Sequence, residues 1–277
     1  MKKISRRSFL AAAAVSVAAL AMTACGGSAS SAASSVASSA ASSEAVSSAA
    51  AELTTVETGK LTMATNATFP PYEMTTDSGE IEGIDVDTAK AIAEKLGLEL
   101  QVDDMEFDAA LLSVQQGKAD IVMAGVTVTD ERKAVMDFSD SYATGIQSII
   151  VPNDSDIASP DDLAGKKIGT QRGTTGYIYC SDDFGEDSVV AYDSGLTAVQ
   201  ALNNGQVDAV VIDNAPATEY VAANPGLKVL DTSYAEEDYA IGMAKGSALE
   251  DAVNKALEEL KADGTLQAIV DKYINAN

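Results

Sequence analysis

Arginine is scarce in this chain, and its placement suggests anion binding. After Arg6 and Arg7 there are only Arg132 and Arg172, against twelve lysines beyond Lys2 and Lys3. A guanidinium presents a planar fork of donors that matches a carboxylate bidentately, which an ammonium does not. Arg132 closes the run Gly125-Val126-Thr127-Val128-Thr129-Asp130-Glu131-Arg132, where Thr127 alternates to the side of Gly125 and Thr129, and Thr129 suits a helix N-cap. This segment can offer a hydroxyl, backbone groups and a guanidinium to one anion, or Arg132 can pair at the surface with Asp130 or Glu131. Gly173-Thr174-Thr175-Gly176 can present unpaired N–H groups at a helix start, or be an ordinary turn. Asp213 ends an apolar strand as either a helix cap or the counter-ion of a ligand cation. Phe69, Tyr72 and Phe107, in a chain without Trp, can wall a pocket or fill a core. There is no His, so the usual general base and commonest metal ligand are missing. No metal cluster, phosphate loop or nucleophile elbow is spelled, and neither cofactor nor metal is expected.

The elements that must position these residues come in two copies of one phrase. Gly117-Lys118-Ala119-Asp120 precedes Ile121 to Gly125, and Gly205-Gln206-Val207-Asp208 precedes Ala209 to Asp213. In each, a glycine can end a helix in the left-handed conformation, and the run after the Asp is apolar enough for a strand covered on both faces. Ligands of open α/β sheets sit beyond the carboxyl ends of the strands, so Gly125 and Asp213 stand at corresponding edges, which would form a cleft if they faced one another. The periodicity predicts a strand over Leu61 to Thr65, a loop from Asn66 to Tyr72, a helix through Val86 to Leu96 and a strand at Leu98 to Val102. Further expected elements are a helix from Asp108 to Gln116, strands at Ser148 to Pro152 and Tyr239 to Met243, and two amphipathic C-terminal helices that return to cover the first unit. The chain would then cross between units near 148–153 and 238–242. The expected domains are 53–148 with 240–277, and 149–239.

The first fifty residues speak of export. Lys2, Lys3, Arg6 and Arg7 precede an apolar run from Phe9 to Met22 that is too short to span a bilayer and suits a signal peptide over 1–24. Ser5-Arg6-Arg7-Ser8-Phe9-Leu10 resembles a twin-arginine motif, and Met22-Thr23-Ala24-Cys25 resembles a lipobox whose Cys25 becomes the lipidated N-terminus. From there to 52 the chain is nearly all Ser and Ala, a tether with no apolar face to bury. With Cys25 lipidated, Cys180 has no partner and no disulfide framework is expected. Four of the 18 Lys and Arg lie in the leader, and the remaining 14 against 42 Asp and Glu leave a net charge of −28. Such acidity argues against nucleic acid or anionic membrane as a partner.

Taken in order, Phe69-Pro70-Pro71-Tyr72-Glu73, Gly83-Ile84-Asp85-Val86-Asp87, Thr127-Val128-Thr129-Asp130-Glu131-Arg132, Phe138-Ser139, Gly173-Thr174-Thr175, Asp213 and Ala262-Asp263-Gly264-Thr265 resemble the polar amino acid-binding proteins of ABC importers, family 3 of the extracellular solute-binding proteins. The likeness covers nearly everything from Leu61 to Ile274. It implies a two-domain, type II periplasmic-binding-protein-like fold: two open α/β sheets joined by a two-segment hinge. It implies a monomeric lipoprotein on the outer face of the membrane that hands a free amino acid to an ABC permease with its ATPase. By position, the resemblance implies that Arg132 binds the α-carboxylate with Thr127 and the backbone at Thr175, beside Thr174. It implies that Asp213, Gly125 and Thr127 take the α-ammonium, and that Phe69 and Phe107 flank the side chain. Members that take cationic side chains often have Asp at the position of Asn66; with Gln171 beside it, an uncharged side chain is expected. Arg172 alternates away from the cleft. Two alternatives remain: a cyclohexadienyl dehydratase-like enzyme on the same fold, and a tethered amino acid sensor.

Overall fold

In the computed structural model, residues 53–274 are described. The signal peptide, Cys25 and the tether to 52 lie outside them. Along the chain come β1 (Lys60–Thr65), β2 (Thr68–Phe69), β3 (Glu73–Thr75), β4 (Ile81–Glu82), α1 (Ile84–Leu96), β5 (Glu99–Asp104), α2 (Phe107–Gln115), β6 (Ile121–Val122), α3 (Asp130–Val135), β7 (Met136–Phe138) and β8 (Ala143–Pro152). They continue with β9 (Ile168–Gln171), α4 (Thr175–Phe184), β10 (Val189–Tyr192), α5 (Gly195–Asn203), β11 (Ala209–Asp213), α6 (Asn214–Ala222), β12 (Leu227–Val229), β13 (Ala235–Tyr239), β14 (Gly242–Ala244), α7 (Glu250–Ala262) and α8 (Thr265–Tyr273).

Two open sheets result, with a small third sheet of order β2-β3-β4. The first has the order β5-β1-β6-β14-β7, with β5, β1 and β6 parallel. The second has the order β10-β9-β11-β8-β12, with β10, β9 and β11 parallel and β13 paired to β8. Each sheet is covered on both faces, which is why its central strands read as unbroken apolar runs. In β1, Met63 joins Ile92, Val253, Leu257 and Leu260, whereas its neighbour Ala64 joins Ala110 and Val114 on the opposite face. In β11, Val210 and Ile212 pack with Val199 and Leu202, while Ala209 and Val211 pack with Leu163 and Cys180. As expected, α7 and α8 return to the first sheet, contributing Leu260 and Leu266 to its core.

The repeated phrase is one structural device used twice. Gly117 and Gly205 adopt φ of 65° and 67°, and each ends its helix. Three residues on, the Asp pins the start of the neighbouring parallel strand: the Asp120 carboxylate accepts from Thr62 N at 2.8 Å, and the Asp208 carboxylate accepts from Lys167 N at 2.8 Å.

Three local expectations change. The loop from Asn66 to Tyr72 holds the short β2, paired with β3. β8 begins at Ala143 and not at Ser148, because its first half is a strand only by virtue of pairing with β13, Glu237 opposite Gly145. Consequently the chain crosses between sheets at 139–142, not near 148–153. The return crossing falls at Ala240 and Ile241, interrupting what reads as one strand from Tyr239 to Met243. The two crossings bond to each other, Ser139 N to Ile241 O at 2.9 Å and Tyr142 N to Tyr239 O at 2.9 Å.

Candidate functional site

Strand ends from both sheets converge on one cavity. Asn66 follows β1, Phe107 follows β5, Gly125 follows β6, Gln171 ends β9 and Asp213 ends β11, all at carboxyl ends of parallel strands. Together with Phe69, Thr127, Arg132, Thr174 and Thr175 they line a single cavity between the sheets. Every ligand-contact residue named from the sequence is there.

Arg132 is 8% exposed, while Asp130 and Glu131 beside it are exposed. It belongs to none of the ion pairs among the described residues, so the surface-pair alternative does not describe it. Thr129 caps α3 by accepting from Arg132 N at 3.2 Å, which fixes where the side chain leaves the helix. Its guanidinium donates to Thr127 O at 2.7 Å and to Gly173 O at 3.1 Å, one partner beside each sheet, and lies 5.4 Å from the Phe107 ring centroid. Burial lowers its pKa, but a guanidinium stays protonated, and donors remain for an anion.

Asp213 is at once cap and cavity wall. It accepts from Ala215 N at 3.0 Å at the start of α6, from Ile146 N at 2.8 Å and from Tyr239 OH at 3.0 Å. Burial pushes its pKa upward against those hydrogen bonds, a cost that an approaching cation would relieve. Gly125 has φ of 55° and donates its N–H to Asp85 at 3.0 Å. A Cβ at Gly125 would come within 2.7 Å of the Phe69 ring, so this wall demands glycine. Thr174 caps α4 by accepting from Tyr177 N, and its hydroxyl donates to Gln171 O at 2.8 Å. Arg172 points outward, its side chain 54% exposed and 3.5 Å from Asp193.

The amides of Asn66 and Gln171 bond to each other. Asn66 Nδ2 donates to Met105 O at 2.9 Å, and its Oδ1 accepts from Gln171 Nε2 at 2.8 Å and from Thr68 at 3.0 Å. Gln171 Nε2 also reaches Asp193 O at 3.3 Å. Because backbone carbonyls can only accept, Met105 and Asp193 fix both amide orientations. What Gln171 leaves for a ligand is its Oε1, an acceptor.

Sequence reading passed over Gln147, Tyr239 and Glu237. Gln147 and Tyr239 line the cavity, and Tyr239 stands edge-on to Tyr72, ring centroids 5.5 Å apart. Glu237 lies behind Thr127 and Thr175 in a run of acids that looks like a solvated strand; pairing with β8 turns Glu237 and Tyr239 inward and leaves Glu236 and Asp238 exposed. Glu73 lines the cavity, is fully buried, and has no hydrogen-bond partner at either carboxylate oxygen. Burial first, then Asp85 beside it, pushes its pKa well above the ordinary carboxylate value.

The model of the bacterial extracellular solute-binding proteins, family 3, matches residues 61–276. The chain belongs to that family. The solute-binding protein is 33% identical to the L-cystine-binding protein TcyJ of Escherichia coli (strain K12) over 225 residues, 80% of this chain and 85% of the relative. It resembles the arginine-, lysine-, histidine-binding protein ArtJ of Geobacillus stearothermophilus with a TM-score of 0.75 and 35% identity, covering 79% of this chain and 96% of that one. An ancestral arginine-binding protein bound to arginine is 43% identical, with a TM-score of 0.75 over 78% of this chain and 99% of that one. The fold is thus the two-domain type II architecture, and these relatives are binding proteins, not enzymes.

Among the described residues no helix is long and apolar enough to cross a membrane, and no acidic or cysteine cluster is arranged for a metal. Cys180, the one cysteine among them, is buried, and burial pushes its thiol up to about 12.

Proposed function

We propose that the protein captures a free amino acid between its two sheets and delivers it to an ABC permease with its ATPase. One observation carries this: a buried guanidinium, Arg132, and a buried carboxylate, Asp213, line the same cavity, matching the two charges common to every free α-amino acid. The relatives named for cystine and arginine support it. Thr127, Thr175 and Gly125 complete the backbone-recognising end, and Phe69, Phe107, Asn66 and Gln171 face the side chain. Export, lipidation at Cys25, the tether over 26–52, the monomeric state and a place on the outer face of the membrane belong to the same proposal, supported by the leader motifs.

For the side chain, the expectation of an uncharged class rests on Asn66 and Gln171 offering neutral donors and acceptors, with Asn66 where a carboxylate would suit a basic ligand. Both Gln171 Nε2 protons are committed, which leaves its Oε1 to accept, and Glu73 has no partner at either oxygen, while Asn66 Nδ2 keeps one proton beyond the one given to Met105 O. A cationic side chain, donor at every N–H, satisfies both and neutralises Glu73. We therefore favour a basic amino acid such as arginine. Calorimetric titration with arginine, lysine, histidine, glutamine and cystine is the test. Tighter binding of glutamine or cystine than of every basic amino acid would restore the uncharged class, and no binding of any amino acid would remove the function itself.

A further inference from the structure

Behind the amino acid site lies a carboxylate with no role so far. Glu237 Oε2 accepts from Thr127 Oγ1 at 3.1 Å, from Thr175 Oγ1 at 3.0 Å and from Gln147 Nε2 at 2.9 Å. Glu237 is 6% exposed, and unlike its three donors it does not line the cavity. We propose that Glu237 is a positioning residue that turns the hydroxyls of Thr127 and Thr175 into acceptors, so that they receive the ligand's α-ammonium and not its α-carboxylate. This rests on the ligand being an amino acid.

The reasoning is a proton count. A threonine hydroxyl has one proton and two lone pairs, and an ionised carboxylate only accepts. Both hydroxyls contact the same carboxylate oxygen, so both protons are drawn to it and the lone pairs are left for the cavity. The contact between the two hydroxyls, at 3.4 Å, is the longest of the set. Charged and titratable groups facing Glu237 are Arg132 on α3, Tyr179 on α4, Asp213 on β11 and, on its own β13, Tyr239. Arg132 is the cation among them. Toward the ligand the site then divides cleanly. Thr127, Thr175 and Asp213 accept, and Arg132, with the first-turn amide of α4 at Thr175, donates. A ligand that lacks the ammonium would meet three acceptors with nothing to give them.

The test compares wild type, Glu237→Gln, Thr127→Val and the double variant, titrated with L-arginine and with its des-amino acid, 5-guanidinopentanoate, and with L-glutamine and its des-amino acid if arginine does not bind. A glutamine at 237 can donate, so the hydroxyls lose their fixed direction. Glu237→Gln should weaken L-amino acid binding roughly tenfold and change the des-amino acid much less. Thr127→Val should cost several-fold less in the Glu237→Gln background than in wild type, roughly fivefold of coupling, whereas a distant charge effect would be additive. Additive variants, or equal losses for both ligands, overturn the inference while the amino acid function stands. Wild type that binds no amino acid overturns both. Should Glu237→Gln fail to fold, Thr127→Val and Thr175→Val carry the test: each must weaken the amino acid and spare the des-amino acid.

Discussion

Glu73 is the residue on which side-chain selectivity and stability pull in opposite directions. Nothing among the described residues donates to it, and Asp85 close by is itself pushed up to about 6 by burial. Both acids hold protons in the fold at pH values where the unfolded chain has released them, so their contribution to stability is greatest near pH 4 and declines as pH rises toward neutrality. Glu73→Gln keeps the shape and removes one titrating group. Without ligand, its melting temperature should match wild type near pH 4 and exceed it increasingly toward pH 7, read by thermal melts across pH. The same variant should bind arginine at least about tenfold more weakly, the loss of a charge-assisted contact. A variant with lower stability at pH 7 would show that Glu73 is held by something other than its neighbours here. Asp213 separates the same two roles differently. Asp213→Asn keeps the oxygen that caps α6 but turns an N–H group toward Ile146 N and loses the charge, so amino acid affinity should fall together with a modest loss of stability, about 1–3 kcal/mol. Intact binding with a large stability loss would mean that its work is capping alone.

At the scale of elements, the helix-glycine-Asp-strand phrase makes a graded forecast. Asp120 is 6% exposed and accepts from two backbone amides, Val56 N at 2.7 Å and Thr62 N at 2.8 Å, whereas Asp208 accepts from Lys167 N at a more exposed edge. Removing a buried acceptor leaves its donors unpaired, which costs about 1–3 kcal/mol each. Asp120→Ala should therefore destabilise by roughly 2–4 kcal/mol and Asp208→Ala by about 1 kcal/mol, measured by denaturant unfolding. Equal losses would mean that the two copies are not set apart by burial. Gly125, at the far end of the first copy, shows why the phrase ends where it does: φ of 55° and the Phe69 ring leave space for no side chain.

The described residues form two main sheets held by two short crossings, and contacts across the cavity are few. They include Arg132 to Gly173, Gln171 to Asn66, Thr127 to Thr175, and Tyr220 OH to Thr68 O. Bending at 139–142 and 240–241 would break these while sparing both cores, the pattern of a hinge. A ligand that touches both sides favours the closed arrangement by its differential contacts. Arginine should thus shrink the radius of gyration in small-angle scattering and raise the melting temperature, by about 2.7 kcal/mol of stability at a hundredfold excess over Kd. Arg132→Ala, which loses the guanidinium on both sides, should abolish the shrinkage, and Arg132→Lys should restore little of it because a point charge cannot fork. Shrinkage undiminished in Arg132→Ala would place the closing contact elsewhere.

Much of this was readable from neighbours along the chain. Left-handed glycines at 117 and 205, the Thr129 cap and the apolar runs of β6 and β11 are local signals, and from them the two units, the strand ends and Arg132 with Asp213 at those ends follow directly. The extent of β8 and the inward face of β13 were not readable, because each is a strand only through the other. Which groups still have donors to offer was hidden for the same reason. The bond from Gln171 to Asn66 spans 105 positions and those from Thr127 and Thr175 to Glu237 span 110 and 62. A side chain's type is written in sequence, but whether its hydrogen-bonding capacity is spent depends on partners that only folding brings within hydrogen-bonding distance.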